Sequence, residues 1–500
     1  MTSPLLWILL TAQIFMGGFD TLFHHELTER LAWRPTQRRE LMLHGARNLL
    51  YAPVFAALGW SAPHGRWALA LLAILAVELL ITLADFVEED LTRKLPASER
   101  VTHTLLALNY GAILALLLPV LAAWAREPTA LAPARHGLLT ALTSVAACGV
   151  IVSGVRDLLA AARTRRLAPP PAADLVRALG DCRCVLVTGA TGFVGRRFVE
   201  ALVASGREAI VLTRDPAKAR ALPPPFRLVT ALDQIRFDTR IDAIVHLAGE
   251  PVAGGLWTTR RRRAIVESRV RLSADLRYMI ARLKTRPSVF VEASAVGWYG
   301  LHGDEILDET GPANPCFSHE SCAAVEAEAA KVEQGYGIRS VALRIGLVLG
   351  TEGGMLGRLL FPFECGLGGR IGSGRQWMSW IARDDLVRLI AHVIATPSLS
   401  GPVNATAPEP VRNAEFARAL GRALRRPALL PVPAAPLRWA AGAFAEELLL
   451  GGQRVVPARA QASGFVFRHP TLAPALAAIL GRGARARPKP WQEHVPLAAE

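Results

Sequence analysis

Two hydropathy regimes divide the chain. Up to about residue 165, apolar runs recur at about 4–23, 48–60, 67–87, 104–124 and 138–160. Most approach or exceed the ~20 residues with which a helix crosses a bilayer. The short run at 48–60 lengthens upstream through Leu41–Leu43. The pattern predicts a multi-span transmembrane domain over 1–165, an α-helical membrane bundle of five spans, or four if the second run stays out. The first run does not read as a signal peptide. It has no basic start and no small-residue cleavage site, and Asp20, His24 and His25 follow it directly. Beyond 183 the regime changes. Short apolar runs at 184–188, 209–213, 226–229, 243–248, 288–294 and 340–345 alternate with helical periodicity. That alternation predicts an α/β Rossmann arrangement, a doubly wound parallel sheet with helices on both faces, over 183–400. A Pro-rich linker at 166–182 is expected to be stiff and extended. A small C-terminal substrate-side lobe is expected at 401–480, and a basic disordered tail at 481–500.

Charge orients the first part. Arg30, Arg34, Arg38, Arg39 and Arg47 follow the first run, Arg93, Lys94 and Arg100 the third, and Arg156, Arg163, Arg165 and Arg166 end the fifth. The opposite loops hold only Arg66, Arg126 and Arg135. The N-terminus is therefore expected outside, and everything beyond 165 in the cytoplasm, as an integral membrane protein. The net charge of +15 suits nucleic acid or an anionic membrane surface. No nucleic-acid module is visible, and the run Arg260–Arg263 has no interleaved aromatics, which leaves membrane lipid as the anionic partner. The six cysteines form no CxxC pair and no metal-ligand spacing, as expected of free thiols in a reducing compartment.

Two stretches carry candidate chemistry. Val185–Gly195, VLVTGATGFVG, runs from a strand through Gly189, Gly192 and Gly195 into a helical pattern. This is a dinucleotide cradle: Gly189 makes the tight turn, Gly192 lets the backbone approach a pyrophosphate, and Gly195 lets the helix pack close. After the second strand come Thr213 and Arg214 where an NAD-binding chain commonly has an acid. A guanidinium matches a 2′-phosphate, which favours NADP(H) over NAD(H). The second stretch is scattered. His24, His44, Glu88 and His103, with His25, Glu26 and Glu89 beside them, fall at the cytoplasmic ends of four spans. They suit a metal or haem site, or an ordinary polar interface.

The segments VLVTGATGFVG, VHLAGEP, SRV (Ser268–Val270), SAVGWYG (Ser294–Gly300), LRIGLVLG, GGRIGSGRQWMSWI and DDLV resemble the extended short-chain dehydrogenase/reductase superfamily. More closely they resemble its YfcH-like, nucleotide-sugar-epimerase-like branch, over about 183–480. The resemblance implies that Gly189, Thr191, Gly192, Phe193, Val194 and Gly195 hold the pyrophosphate. It implies that Arg214 holds the 2′-phosphate and that Leu247, Ala248 and Gly249 line the adenosine side. The superfamily's proton relay is a Tyr with a Lys four residues on. None of the five tyrosines has that lysine; the two positions fall near Ser318 and Cys322. Ser294, Tyr299, Glu309 and Glu326 are the substitute candidates. Three functions follow. One is a membrane-tethered NADP-dependent oxidoreductase or epimerase acting on a small-molecule or lipid-linked substrate. The second is a non-catalytic NADP(H) sensor regulating the membrane domain. The third is a membrane redox protein using the His/carboxylate cluster.

Overall fold

The computed structural model describes residues 3–93, 95–167 and 170–482. The chain divides into two compact units, 1–168 and 169–500. The expected tail lies outside the described residues, apart from 481 and 482.

The first unit holds five long helices: α1 (Pro4–Phe19), α2 (Arg38–Trp60), α3 (Arg66–Thr92), α4 (Ala97–Trp124) and α5 (Leu138–Thr164). Four helical segments, Pro4–Trp33, α3, α4 and α5, are long and apolar enough to cross a membrane. Helix α2 carries the charges of the second run along its first half and is not among them. A two-stranded antiparallel ribbon, Ser61–His64 with Ala130–Pro133, joins the far ends of α2 and α4 to their successors. Leu6, Leu10, Leu58, Leu75, Ile113 and Leu117 pack between the helices. Small residues let α2 and α5 approach closely: a Cβ on Gly154 would stand 2.9 Å from the Gly45 carbonyl oxygen.

The second unit is built on a seven-stranded, all-parallel sheet. Its strands are β1 (Cys184–Thr188), β2 (Glu208–Leu212), β3 (Arg227–Val229), β4 (Ala243–His246), β5 (Val289–Ala295), β6 (Arg339–Ile345) and β7 (Gly401–Ala405). They lie in the order β3-β2-β1-β4-β5-β6-β7. The order reverses between β1 and β4, and their ends are in register, Thr188 beside His246. A crevice at such a reversal is where open α/β sheets bind ligands. Both faces are covered, so the strands read as continuous apolar runs rather than alternating ones. Val185, Val187 and Val245 face one core with α6 (Phe193–Ala204) and α7 (Arg383–Ala395). Leu186, Ile244 and Phe290 face the other, against Leu276 and Ile280 of the helix Thr259–Arg282 and Ala329 and Val332 of the helix Phe317–Tyr336.

Two expectations need correction. Residues 170–182 are not an extended spacer: Ala172–Leu179 winds into short 3₁₀ turns kinked at Val176. Its Leu175, Val176 and Leu179 are buried in the same core as α6 and α7. Burying each such side chain is worth roughly 1.5–3 kcal/mol, which outweighs the local preference of the prolines before it. The Rossmann part also does not stop at 400. Gly401–Ala405 closes the sheet as β7, parallel to β6. The smaller lobe therefore starts after the seventh strand, with the helices Asn413–Leu424 and Leu472–Ile479 among its elements.

Candidate active site

At the end of β1 the chain turns on Gly189, whose φ is +68°. A Cβ there would lie 2.6 Å from the Leu247 carbonyl, so the first glycine is set by backbone contact with the chain leaving β4. Gly195 is tighter: its Cβ would stand 2.2 Å from the Gly189 oxygen. Both glycines serve the closeness of strand, turn and helix. Gly192 differs. It is extended, caps α6, and a Cβ on it would touch only the Gly189 oxygen, at 3.1 Å. Its missing side chain leaves space in front of the helix N-terminus, where first-turn N–H groups are available to an anion. Phe193 turns away from that space: its ring fills the gap left by Gly350, Gly353 and Gly354 and lies under the Arg383 guanidinium. Val194 packs on the core.

The floor of the turn is polar, with His246 Nε2 buried 3.8 Å from Glu292 and without a hydrogen bond. Thr188 Oγ1 and His246 Nδ1 are 2.7 Å apart, and the Ala248 N–H donates to Thr188 Oγ1 at 3.2 Å. Burial pushes the His246 imidazole down to about 4, so it is neutral at physiological pH. Gly249 makes room for Arg269: a Cβ there would meet the guanidinium at 2.6 Å. Arg269 donates to the Glu250 and Ile265 carbonyls, and Ser268 Oγ accepts from Glu250 N–H at 3.0 Å. The SRV motif thus holds the Leu247–Pro251 loop in place. Sequence reasoning placed no role on Arg269. Arg214 stands exposed just past β2. Asp215, the neighbouring acid, is spent on capping the short helix Pro216–Ala219 through Ala217 N–H.

The four substitute candidates fall in one hydrogen-bonded chain at the carboxyl ends of β5 and β6. Ser294 Oγ donates to Glu326 Oε1 at 2.6 Å. Arg344 forks onto both oxygens of Glu326, at 3.0 and 2.9 Å, and its third nitrogen donates to the Tyr299 hydroxyl at 3.1 Å. The Tyr299 hydroxyl sits 2.8 Å from both Asn404 Oδ1 and the Asp308 carbonyl. Glu309 accepts from Asn404 N–H and Arg459 N–H. Arg344 and Asn404 are the residues the sequence did not point to. Arg344 was legible only as part of the motif LRIGLVLG, and Asn404 lay in a segment read as the separate lobe. Tyr299 is completely buried with every polar contact filled, and burial raises its phenol. It braces Arg344 rather than facing a reactant. At the superfamily's Tyr and Lys positions, Ser318 binds Glu447, and burial beside Glu326 pushes the Cys322 thiol up to about 11.

In the first unit, His103 groups with His25, Glu89 and Glu99, and His44 with Glu40 and Glu89, the two groups sharing Glu89. His24 and Glu88 join neither. His24 turns its Nδ1 to Asp20 at 2.9 Å and meets the stacked Phe19 and Phe23 rings edge-on. Glu88 faces Arg39 on the flank of α3.

Residues 185–405 match the NAD dependent epimerase/dehydratase family, and residues 432–479 match a domain of unknown function, DUF1731. A chloroplastic homologue of the epimerase family protein SDR39U1 from Arabidopsis thaliana is 38% identical over 303 residues, 59% of this chain and 86% of that protein. An epimerase family protein of Mycobacterium bovis is 38% identical over 58% of this chain and 96% of its own length. The crystal structure of human SDR39U1 with NADPH superimposes with a TM-score of 0.54, at 33% identity, over 59% of this chain and 99% of that one.

Proposed function

Since the chain belongs, through its second unit, to the epimerase family proteins, we propose that this unit binds NADP(H) and acts as an oxidoreductase or epimerase of the extended short-chain dehydrogenase type. Its motifs resemble those of the YfcH-like branch of that superfamily. The observation that carries the reading is the Gly189–Gly195 turn at the sheet's reversal point, with open space only at Gly192. Gly192 and the first turn of α6 would take the pyrophosphate, and Arg214 the 2′-phosphate. Asp215 uses one carboxylate oxygen on the Ala217 N–H and turns the other toward Lys218. The human relative's NADPH agrees with this choice.

The cofactor supplies hydride transfer at its nicotinamide ring. This chain's residues move the proton. In the oxidising direction Ser294 Oγ takes the substrate hydroxyl proton and passes its own to Glu326, whose carboxylate Arg344 holds in place. A titration with NADPH and NADH tests the reading. Tighter retention of NADPH, with a preference erased by Arg214→Glu, supports it; equal affinity for both overturns the assignment of Arg214. Turnover is tested with a panel of carbonyl compounds and NADPH. The filled valences of Tyr299 and the neutral Cys322 favour a second reading, a redox sensor that binds without turnover; retention of NADPH with no oxidation on any carbonyl selects it.

We also propose that the first unit is a membrane domain with the second on its cytoplasmic side, acting on a small-molecule or lipid-linked substrate. The helix faces turned away from the core support this: Ile8, Phe15, Leu80, Leu108, Val152 and Leu159 are exposed apolar side chains on α1, α3, α4 and α5.

A further inference from the structure

We propose that the first unit holds a dinuclear centre of first-row divalent cations, bridged by Glu89. Asp20, Glu40, Asp85, Glu89 and Glu99 are all buried, at 4, 0, 0, 1 and 0% exposure. They are gathered from the ends of α1, α2, α3 and α4. After α1 the helix widens into π-helical turns over Asp20–Glu29, which bring Asp20, His24 and His25 to one side. Wide turns of this kind are frequent at functional sites. Two guanidiniums face these acids: Arg47 on Asp85 at 3.0 Å, and Arg93 on Glu40 at 2.8 Å and Glu99 at 2.7 Å. The acids thus outnumber the guanidiniums by three, and the other groups that face them are imidazoles: His24, His25 and His103 on Asp20, and His44 on Asp85. Buried charge of that size requires compensation.

The donor geometry says what compensates it. Two groups of ligand atoms, each within 4.8 Å of one another, share Glu89: His25, Glu89, Glu99 and His103 form one, and Glu40, His44 and Glu89 the other. The two oxygens of Glu89 point to different groups. Oε2 lies 3.3 Å from His103 Nδ1, and Oε1 lies 3.8 Å from His44 Nε2. His25 Nε2 stands 3.8 Å from Glu99 Oε1. Gaps of 3.8 Å are too long for a hydrogen bond. Two atoms that each ligate one cation at about 2.1 Å stand about 3–4 Å apart. His103 Nδ1 and the two Glu89 oxygens are buried without a well-formed hydrogen bond, Glu89 Oε1 standing 3.6 Å from Arg93; His44 Nε2 lies 2.8 Å from Asp85 Oδ2 and His25 Nε2 lies 3.4 Å from Asp20 Oδ2. Such orphans are rare without an occupant. Glu99 gives Arg93 one contact per oxygen and Glu40 gives it two on Oε1 and one on Oε2, and each carboxylate keeps further lone pairs. Imidazole and carboxylate without thiolate select manganese, iron, cobalt or zinc. The His25 and His44 rings stack 4.4 Å apart, centre to centre, which leaves no room for a porphyrin between them. The inference stands apart from the cofactor reading of the second unit.

The full chain, purified in detergent without chelator, tests it by elemental analysis and by titration of the dialysed protein with Co²⁺ in the visible region. The expected result is two cations per chain, with a d–d absorption band that saturates at two equivalents. Glu89→Gln should remove at least one, whereas Glu88→Gln on the flank of α3 should keep both. Dialysed wild-type protein should gain thermal stability with Mn²⁺, so a poorly folding variant leaves the claim testable. Saturation at one equivalent overturns the bridge. No bound metal and no thermal shift overturn the site, and a Soret band replaces it with haem.

Discussion

Tyr299 and Glu326 sit on the same side-chain network and have opposite fates. The phenol is closed in by Asn404, the Asp308 carbonyl and Arg344. Glu326 meets the chain through Ser294, at the end of β5, and stays partly open. Tyr299→Phe should cost about 1–3 kcal/mol of stability, from buried partners left unpaired, and change turnover by less than about tenfold. Glu326→Gln should lower kcat by roughly 10²–10⁴-fold with little change in NADPH affinity. Chemical denaturation and steady-state kinetics of the two variants check the pair. Glu292 makes a different prediction. It is buried on β5 with Ser273 as its hydrogen-bond partner, and burial holds its carboxyl well above the usual range. The folded state keeps that proton while the unfolded chain releases it above about pH 4.5, so this residue costs stability as pH rises. Glu292→Gln should raise Tm at pH 7–8, with the gain vanishing as pH falls toward about 4.5. A gain that is the same at every pH contradicts the account. Of these residues the sequence disclosed Tyr299 and Glu326 as candidates, because Tyr and Glu bear protons. It could not reveal which was sealed, since that depends on Asn404 and Arg344, which the fold brings from β7 and β6.

Among the elements, the short helix Ala172–Leu179 was the hardest to foresee. The prolines before it suggest a spacer, yet Leu175, Val176 and Leu179 are buried in the core beside α6, around a kink at Val176. Leu175→Ala should destabilise the second unit by about 2–5 kcal/mol, measured on the cofactor-binding unit's own unfolding transition. A loss under about 0.5 kcal/mol would return the segment to the linker. Six strands of the sheet were legible from β-branched runs, to within a residue or two at their ends. The seventh, Gly401–Ala405, was not. GPVNA carries a single β-branched residue, and its place is set by pairing with β6 rather than by propensity. The cradle was legible because each glycine answers a local need. Thr188–His246 and Gly249–Arg269 contacts were not, because they join segments far apart in sequence.

At the scale of the whole molecule, an apolar helical unit and an epimerase-type unit share one chain. If the first unit spans a membrane, the full chain should resist alkaline carbonate extraction, and the second unit should be cut from membranes only by protease added to the cytoplasmic face. Release by carbonate would contradict the proposal. The central claim, that NADP(H) docks where β1 turns into α6, has a more direct test. Retention of NADPH and NADH is measured by titration on wild-type protein and on Gly192→Val, with Tm recorded for both. The account predicts that NADPH is held at least about tenfold more tightly than NADH, and that Gly192→Val loses it while unfolding within about 3 °C of wild type, since a Cβ there meets only the Gly189 oxygen. Failure of the wild-type protein to retain either nucleotide, or unchanged retention by Gly192→Val, would contradict it.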